Sequence, residues 1–162
     1  MTLLAVIGSD AYKWLLAFHI LLAAIWVGSN TAIQILTFRA RGAGGDRLAY
    51  LASEIEWYGT RILIPTSLTL VILGFILLHE SSGGYDLGQG WVTFGFVVWL
   101  LSFIAGAGYL GPESGRLSKL VEERGPEDPE YQRRLARIFV VSRIELVLLI
   151  LVVLDMTVKP GL

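Results

Sequence analysis

Four long runs of apolar residues, separated by short charged or glycine-rich stretches, organise this chain of 162 residues. Residues 14 to 38 contain no Asp, Glu, Lys or Arg, and a helix of that length crosses a hydrocarbon core about 30 Å thick. The second run, Ile62 to Leu78, has 17 residues; it is entered through Trp57 and Tyr58 and closed by His79 and Glu80. The third, Leu87 to Pro112, is uncharged, and Tyr85 and Trp91 at its entrance read as an interfacial aromatic belt. The fourth, Ile138 to Leu154, reaches spanning length only when Arg143 and Glu145 are accepted within it. The pattern predicts an all-α fold, an antiparallel four-helix transmembrane bundle. The spans cover about 12–38, 57–79, 90–112 and 138–157, in a single integral membrane domain.

The connections carry stop and start signals. Gly42 to Gly45 can end the first helix, and Asp46 can cap a second that runs from Arg47 through Trp57 into the second span. Pro65 weakens the backbone ladder near Arg61 and permits a kink. Ser81 to Gly84 reads as a flexible linker. Gly125 and Pro126 break the chain before the fourth helix, Asp128 can cap it, and Pro129 suits its first position. Helices three and four should therefore project beyond the membrane as a charged antiparallel hairpin.

Composition supports a lipid solvent: 54% of the residues are hydrophobic, against about 45–50% in ordinary soluble domains. No basic tract points to nucleic acid, and the bilayer is the expected partner. The absence of Cys excludes disulfides, thiolate nucleophiles and thiolate-based metal clusters. The first ten residues lack the positive region and cleavage site of a secretory signal. Charge placement says more than the net charge of −1. Nine basic residues (Arg39, Arg41, Arg47, Arg116, Lys119, Arg124, Arg133, Arg134 and Arg137) fall in the two connections on one side, and only Lys13 and Lys159 on the other. Both termini are expected to be extracytoplasmic.

The first span bears the clearest candidate chemistry. His19, Trp26, Asn30 and Gln34 fall within about 80° of one another on a helix. Such a stripe normally faces a bundle interior, a cavity or a ligand, because hydrocarbon cannot satisfy it. His19 is expected in the outer half of the bilayer. The other histidine, His79, ends the second span on the same side, and two imidazoles on neighbouring helices can hold a haem iron axially. The alternative is a hydrogen-bonded core histidine with an interfacial His79, the two lying about two turns apart in depth. Trp26 either packs in the core or walls a cofactor pocket. Asn30 and Gln34 read first as interhelical hydrogen-bonding groups.

Gly95, Trp99, Ser102, Gly106, Tyr109 and Glu113 mark one face of the third helix, with Ser102 and Gly106 spaced for close helix approach. The remaining polar groups are charged. Glu113 can pair with Arg61 or Arg143, Arg143 with Glu113 or Glu56, and Glu145 with Arg61. These groups form either a register-fixing ion network or a proton or substrate path.

The stretch Phe18-His19-Ile20-Leu21-Leu22-Ala23-Ala24-Ile25-Trp26-Val27-Gly28-Ser29 resembles the first helix of several bacterial membrane families, in which a His precedes Trp-x-Gly by about seven residues. They include HemJ-type protoporphyrinogen oxidases, CopD-type copper-resistance proteins and the membrane part of some urate oxidases. By length and layout the whole chain resembles an uncharacterised family of predicted integral membrane proteins related to these. The resemblance implies the bacterial cytoplasmic membrane and a haem role for His19, with haem b as the expected cofactor. On that reading His19 is an axial ligand, Trp26 walls the pocket and His79 is a second metal ligand. The continuation Asn30-Thr31-Ala32-Ile33-Gln34 departs from the Arg-rich, aromatic one of the HemJ type. Two further functions stand beside haem binding: a transporter or channel-like subunit with Asn30, Gln34, Arg143 and Glu145 along a polar path, or a helper subunit acting through a homo-oligomer or a membrane partner protein. No catalytic residue is assigned.

Overall fold

The computed structural model describes residues 9–41 and 45–161, which are helical apart from short turns, with no strand among them. Helix α1 spans Asp10–Arg41. Helix α2, Gly45–Tyr58, continues through a π-helical segment, Gly59–Leu63, into α3, Ile64–Glu80. In the same manner α4, Gly90–Phe103, passes through a π-helical segment, Ile104–Leu110, into α5, Gly111–Arg124. Helix α6 covers Pro129–Val158. The result is four continuous rods. Residues 42–44 of the expected glycine break lie outside the described residues, and the described part of the next helix starts at Gly45.

Packing sets the rods antiparallel. Tyr12 near the start of α1 meets Leu77 near the end of α3, and Val121 at the end of α5 meets Tyr131 at the start of α6. Three rods, Asp10–Ala40, Tyr50–Glu80 and Gly90–Arg124, are long and apolar enough to cross a membrane. The fourth matches them in length but carries Arg143, Glu145 and Asp155.

Each π-helical segment stands directly before a proline helix start. The ring of Pro65 or Pro112 would clash with the carbonyl four residues earlier in an α-helix, and widening the preceding turn removes that carbonyl from its path. Ile64 N–H accordingly bonds back to Gly59 O, and Gly111 N–H to Gly106 O, each across five residues. The expected weakening near Arg61 thus takes the form of a π turn.

Two apolar clusters hold the rods. Trp26, Leu70, Val98 and Leu149 join α1, α3, α4 and α6 at mid-bundle. Ala40, Leu117, Val121, Tyr131, Leu135 and Phe139 seal the hairpin end. Uncharged hydrogen bonds between rods among the described residues include Trp99 Nε1 donating to Ser67 O at 3.0 Å and the hydroxyls of Ser29 and Tyr58, which meet at 2.8 Å. Gly95, not Gly106, is the close-approach glycine of the third rod, for the Met156 side chain occupies the space a β-carbon there would need.

The hairpin forms as its sequence predicts. Gly125 takes φ +81, and Asp128 accepts from the N–H groups of Glu130 and Tyr131 ahead of Pro129. The opposite end differs from expectation. Ser81 to Gly84 is a hydrogen-bonded turn rather than a free linker, because the Ser81 hydroxyl accepts from Tyr85 N–H and Ser81 O accepts from Gly84 N–H. Trp91, read as an interfacial belt residue, is buried. It packs edge-on to Tyr85 at 5.2 Å, and Lys159 Nζ sits 4.6 Å from the Tyr85 ring and 5.3 Å from the Trp91 ring. A cation over two aromatic faces ties the end of α6 to the start of α4.

Candidate functional site in the bundle interior

The two apolar clusters do not meet. Between them lies a cavity of about 360 Å³ whose wall includes Trp26 at one end and Leu117, Leu135 and Phe139 at the other. Both π-helical segments border it, through Gly59, Thr60 and Leu63 on one side and Gly106, Ala107 and Leu110 on the other. Gly106 leaves open space where a β-carbon would stand, with no atom within 4 Å. Its spacing from Ser102, suited to helix contact, serves the cavity wall instead.

The helix-one stripe divides here. Trp26, Asn30 and Gln34 face the cavity, joined by Thr37 one turn on. Asn30 Nδ2 donates to Trp26 O and Thr37 Oγ1 to Ile33 O, both within their own helix. Gln34 has no hydrogen bond among the described residues. Neither amide therefore bridges helices as the sequence suggested, because the space they face is not filled by a neighbouring rod.

His19 faces elsewhere. Its Cε1 lies 3.5 Å from the position of a β-carbon on Gly74, so the missing side chain of α3 makes the slot for the ring. Nδ1 is buried without a hydrogen-bond partner, and the ring also meets the backbone of Leu70. His79 is exposed in the last turn of α3, five residues beyond Gly74, a rise of about 7.5 Å. The fold does not bring the two histidines together, and neither lines the cavity. The resting geometry does not fit a haem held between these residues.

The charged candidates separate just as clearly. Glu113 is 7% exposed and held by Arg116 and Arg134, each at 3.2 Å; its partners come from the hairpin rather than from Arg61 or Arg143. Arg134 also reaches Glu130 at 2.8 Å, and Glu130 reaches Arg124 at 3.2 Å. Arg61 is exposed over the Trp57 ring at 5.3 Å, and Arg143 is exposed on α6. Two residues apart on a helix, Arg143 and Glu145 point in nearly opposite directions, which sends the first outward and the second inward.

Glu145 is 7% exposed and has no ion pair or hydrogen bond among the described residues. It lines the cavity with Glu56, whose carboxylate rests against Gly115: a β-carbon there would stand 2.9 Å from Oε1. Ser102, buried on α4, adds a hydroxyl without a partner. No Lys, Arg or His among the described residues contributes to the wall. Glu56 and Ser102 carried little weight in the sequence, where Ser102 read as a packing residue. The available signal was helical spacing, which sets Ser102 on one face with Gly95, Trp99 and Gly106.

The site is thus a drug-sized, mainly apolar space with two carboxylates and no fixed cation. No curated protein and no solved structure gives a match. Residues 13–160 match the family described as predicted integral membrane protein, domain of unknown function 2269. That match spans nearly the whole chain and all four rods, so the protein belongs to this family of predicted integral membrane proteins.

Proposed function

We propose that the protein is a carrier-type membrane protein that takes an apolar molecule bearing a positive charge into the bundle cavity. The observation that carries this reading is the unpaired Glu145. A buried carboxylate without a partner costs several kcal/mol, and no Lys or Arg among the described residues stands in this wall. A cationic ligand supplies the missing counter-charge. The apolar wall, Trp26 above all, takes its hydrocarbon body. Asn30, Gln34 and Ser102 offer hydrogen-bonding groups along one side. The positive-inside bias puts the Arg-rich hairpin in the cytoplasm and the Tyr85–Trp91–Lys159 clamp outside.

The test is equilibrium binding of tetraphenylphosphonium to the protein in lipid nanodiscs. Saturable binding is expected, weakened at least tenfold in Glu145→Gln and more modestly in Glu56→Gln. The isosteric anion tetraphenylborate should not compete. Equal binding of both ions, or no saturable binding, would overturn the reading.

The orphaned Nδ1 of His19 favours a second reading, haem ligation after rearrangement of the ring. It predicts a Soret band in protein purified from haem-replete cells that disappears in His19→Ala.

A further inference from the structure

A second, smaller space of about 160 Å³ lies between α4 and α6, walled by Leu101, Val141, Ile144 and Leu148. Leu101 and Ile144 are 52% and 56% exposed, so this groove faces the surroundings of the bundle, which for a spanning protein are acyl chains. Ser102 and Glu145 line both the groove and the interior cavity. They are only 3% and 7% exposed. The Ser102 hydroxyl lacks a partner, and Glu145 makes no polar contact among the described residues. A partition built from two unpartnered polar groups separates a lipid-facing groove from the interior cavity.

Helix packing alone does not call for that arrangement. Two polar groups buried at a helix–helix seam in hydrocarbon ordinarily bond to each other or across the seam, and these do not. The adjoining backbone has room beside it. The π-helical segment begins at Ile104, and β-carbons placed on Gly106 and Gly108 would meet nothing within 4 Å. Because Leu101 and Ile144 lie outside the buried clusters, parting them exposes little that was hidden.

We infer that the α4–α6 groove is the lateral entrance by which an amphipathic cation passes from the bilayer into the cavity, with Ser102 and Glu145 forming its threshold. The inference rests on the cation-binding reading above. A molecule already dissolved in the membrane by its apolar body reaches the groove without returning to water. The polar atoms its charge then needs stand at the partition.

The chain has no native Cys, which makes the entrance directly accessible to cross-linking. In a Leu101→Cys/Ile144→Cys double variant in nanodiscs, a short bismaleimide bridges the groove, with the extent of bridging read by mass spectrometry. Tetraphenylphosphonium is the probe. Bridging should slow both its association and its dissociation at least tenfold while Kd stays within threefold, and the unbridged variant should match the wild type. Ile144→Trp, which fills the groove from an exposed position, should slow association at least threefold with no bridging chemistry. Wild-type rates in both the bridged protein and Ile144→Trp would overturn lateral entry and leave the cavity reading intact. Absence of saturable binding to the unmodified wild-type protein would overturn both.

Discussion

Two glutamates in this protein are equally buried and oppositely treated. Glu113 and Glu145 are each 7% exposed. Glu113 sits between two guanidinium groups at the hairpin end. Glu145 sits at mid-bundle beside a cavity and a groove with no cation near. The difference separates a charge whose cost the fold has already offset from one whose cost it leaves standing. Charges of the first kind fix register; those of the second kind invite a ligand.

The comparison breaks first, and by the largest margin, through the arginines. Replacing Arg116 and Arg134 together by Ala strands the Glu113 carboxylate and should destabilise the protein by about 2 kcal/mol, a value reduced for the solvent around both side chains. Glu145→Gln, by contrast, removes a charge with no partner to lose, and should leave the thermal midpoint unchanged or higher. A Glu145→Gln midpoint that falls as far as that of the arginine variant would mean that Glu145 is structural.

The hairpin end supplies two further tests of its structural character. Asp128→Ala removes the acceptor for two N–H groups at the start of α6 and should cost about 1 kcal/mol in chemical denaturation, without altering tetraphenylphosphonium affinity. Tyr131, buried in the hairpin cluster, has its phenol pushed above its ordinary value of 10.0 by desolvation. A raised folded-state value means that its contribution is fully present below about pH 10 and is lost as pH climbs through the folded value. Tyr131→Phe should abolish that alkaline loss. An alkaline stability profile that Tyr131→Phe leaves unaltered would contradict the assignment.

The smallest effect sharpens the other side of the comparison. Ser102→Ala deletes a hydroxyl that bonds to nothing, so the stability change should stay below about 0.5 kcal/mol. A loss above about 1 kcal/mol would show that the hydroxyl has a partner and that the partition is a packed seam.

Much of the fold was legible because a bilayer imposes simple rules on sequence. Charge-free runs gave the helices, and Gly125, Asp128 and Pro129 gave the hairpin turn almost residue by residue. Pro65 signalled the first π turn, whereas the equivalent role of Pro112 was hidden at the edge of an apolar run. Ser81 shows the limit of composition as a guide. A Ser-Ser-Gly-Gly stretch reads as loose, yet one hydroxyl bonded to Tyr85 makes it a turn.

The candidate site was legible in part. The stripe of His19, Trp26, Asn30 and Gln34 does turn inward, as helical spacing requires. Its emphasis moved, because spacing along one helix cannot say what stands opposite. Gly74 gives His19 a close-fitting slot, while the π turns give Asn30 and Gln34 an open space. The expected ion pairs of Arg61, Arg143 and Glu145 fail for the same reason: both arginines point out of the bundle and Glu145 points in.

The sequence by itself determined the helical class, the number of rods and which face of the first helix turns inward, since each follows from hydropathy, charge and the helical period. Only the tertiary structure decided which buried charge is paired and where the rods part to leave a cavity. Those outcomes depend on side chains brought together from distant positions, where one glycine or one widened turn sets whether two groups touch or face a void.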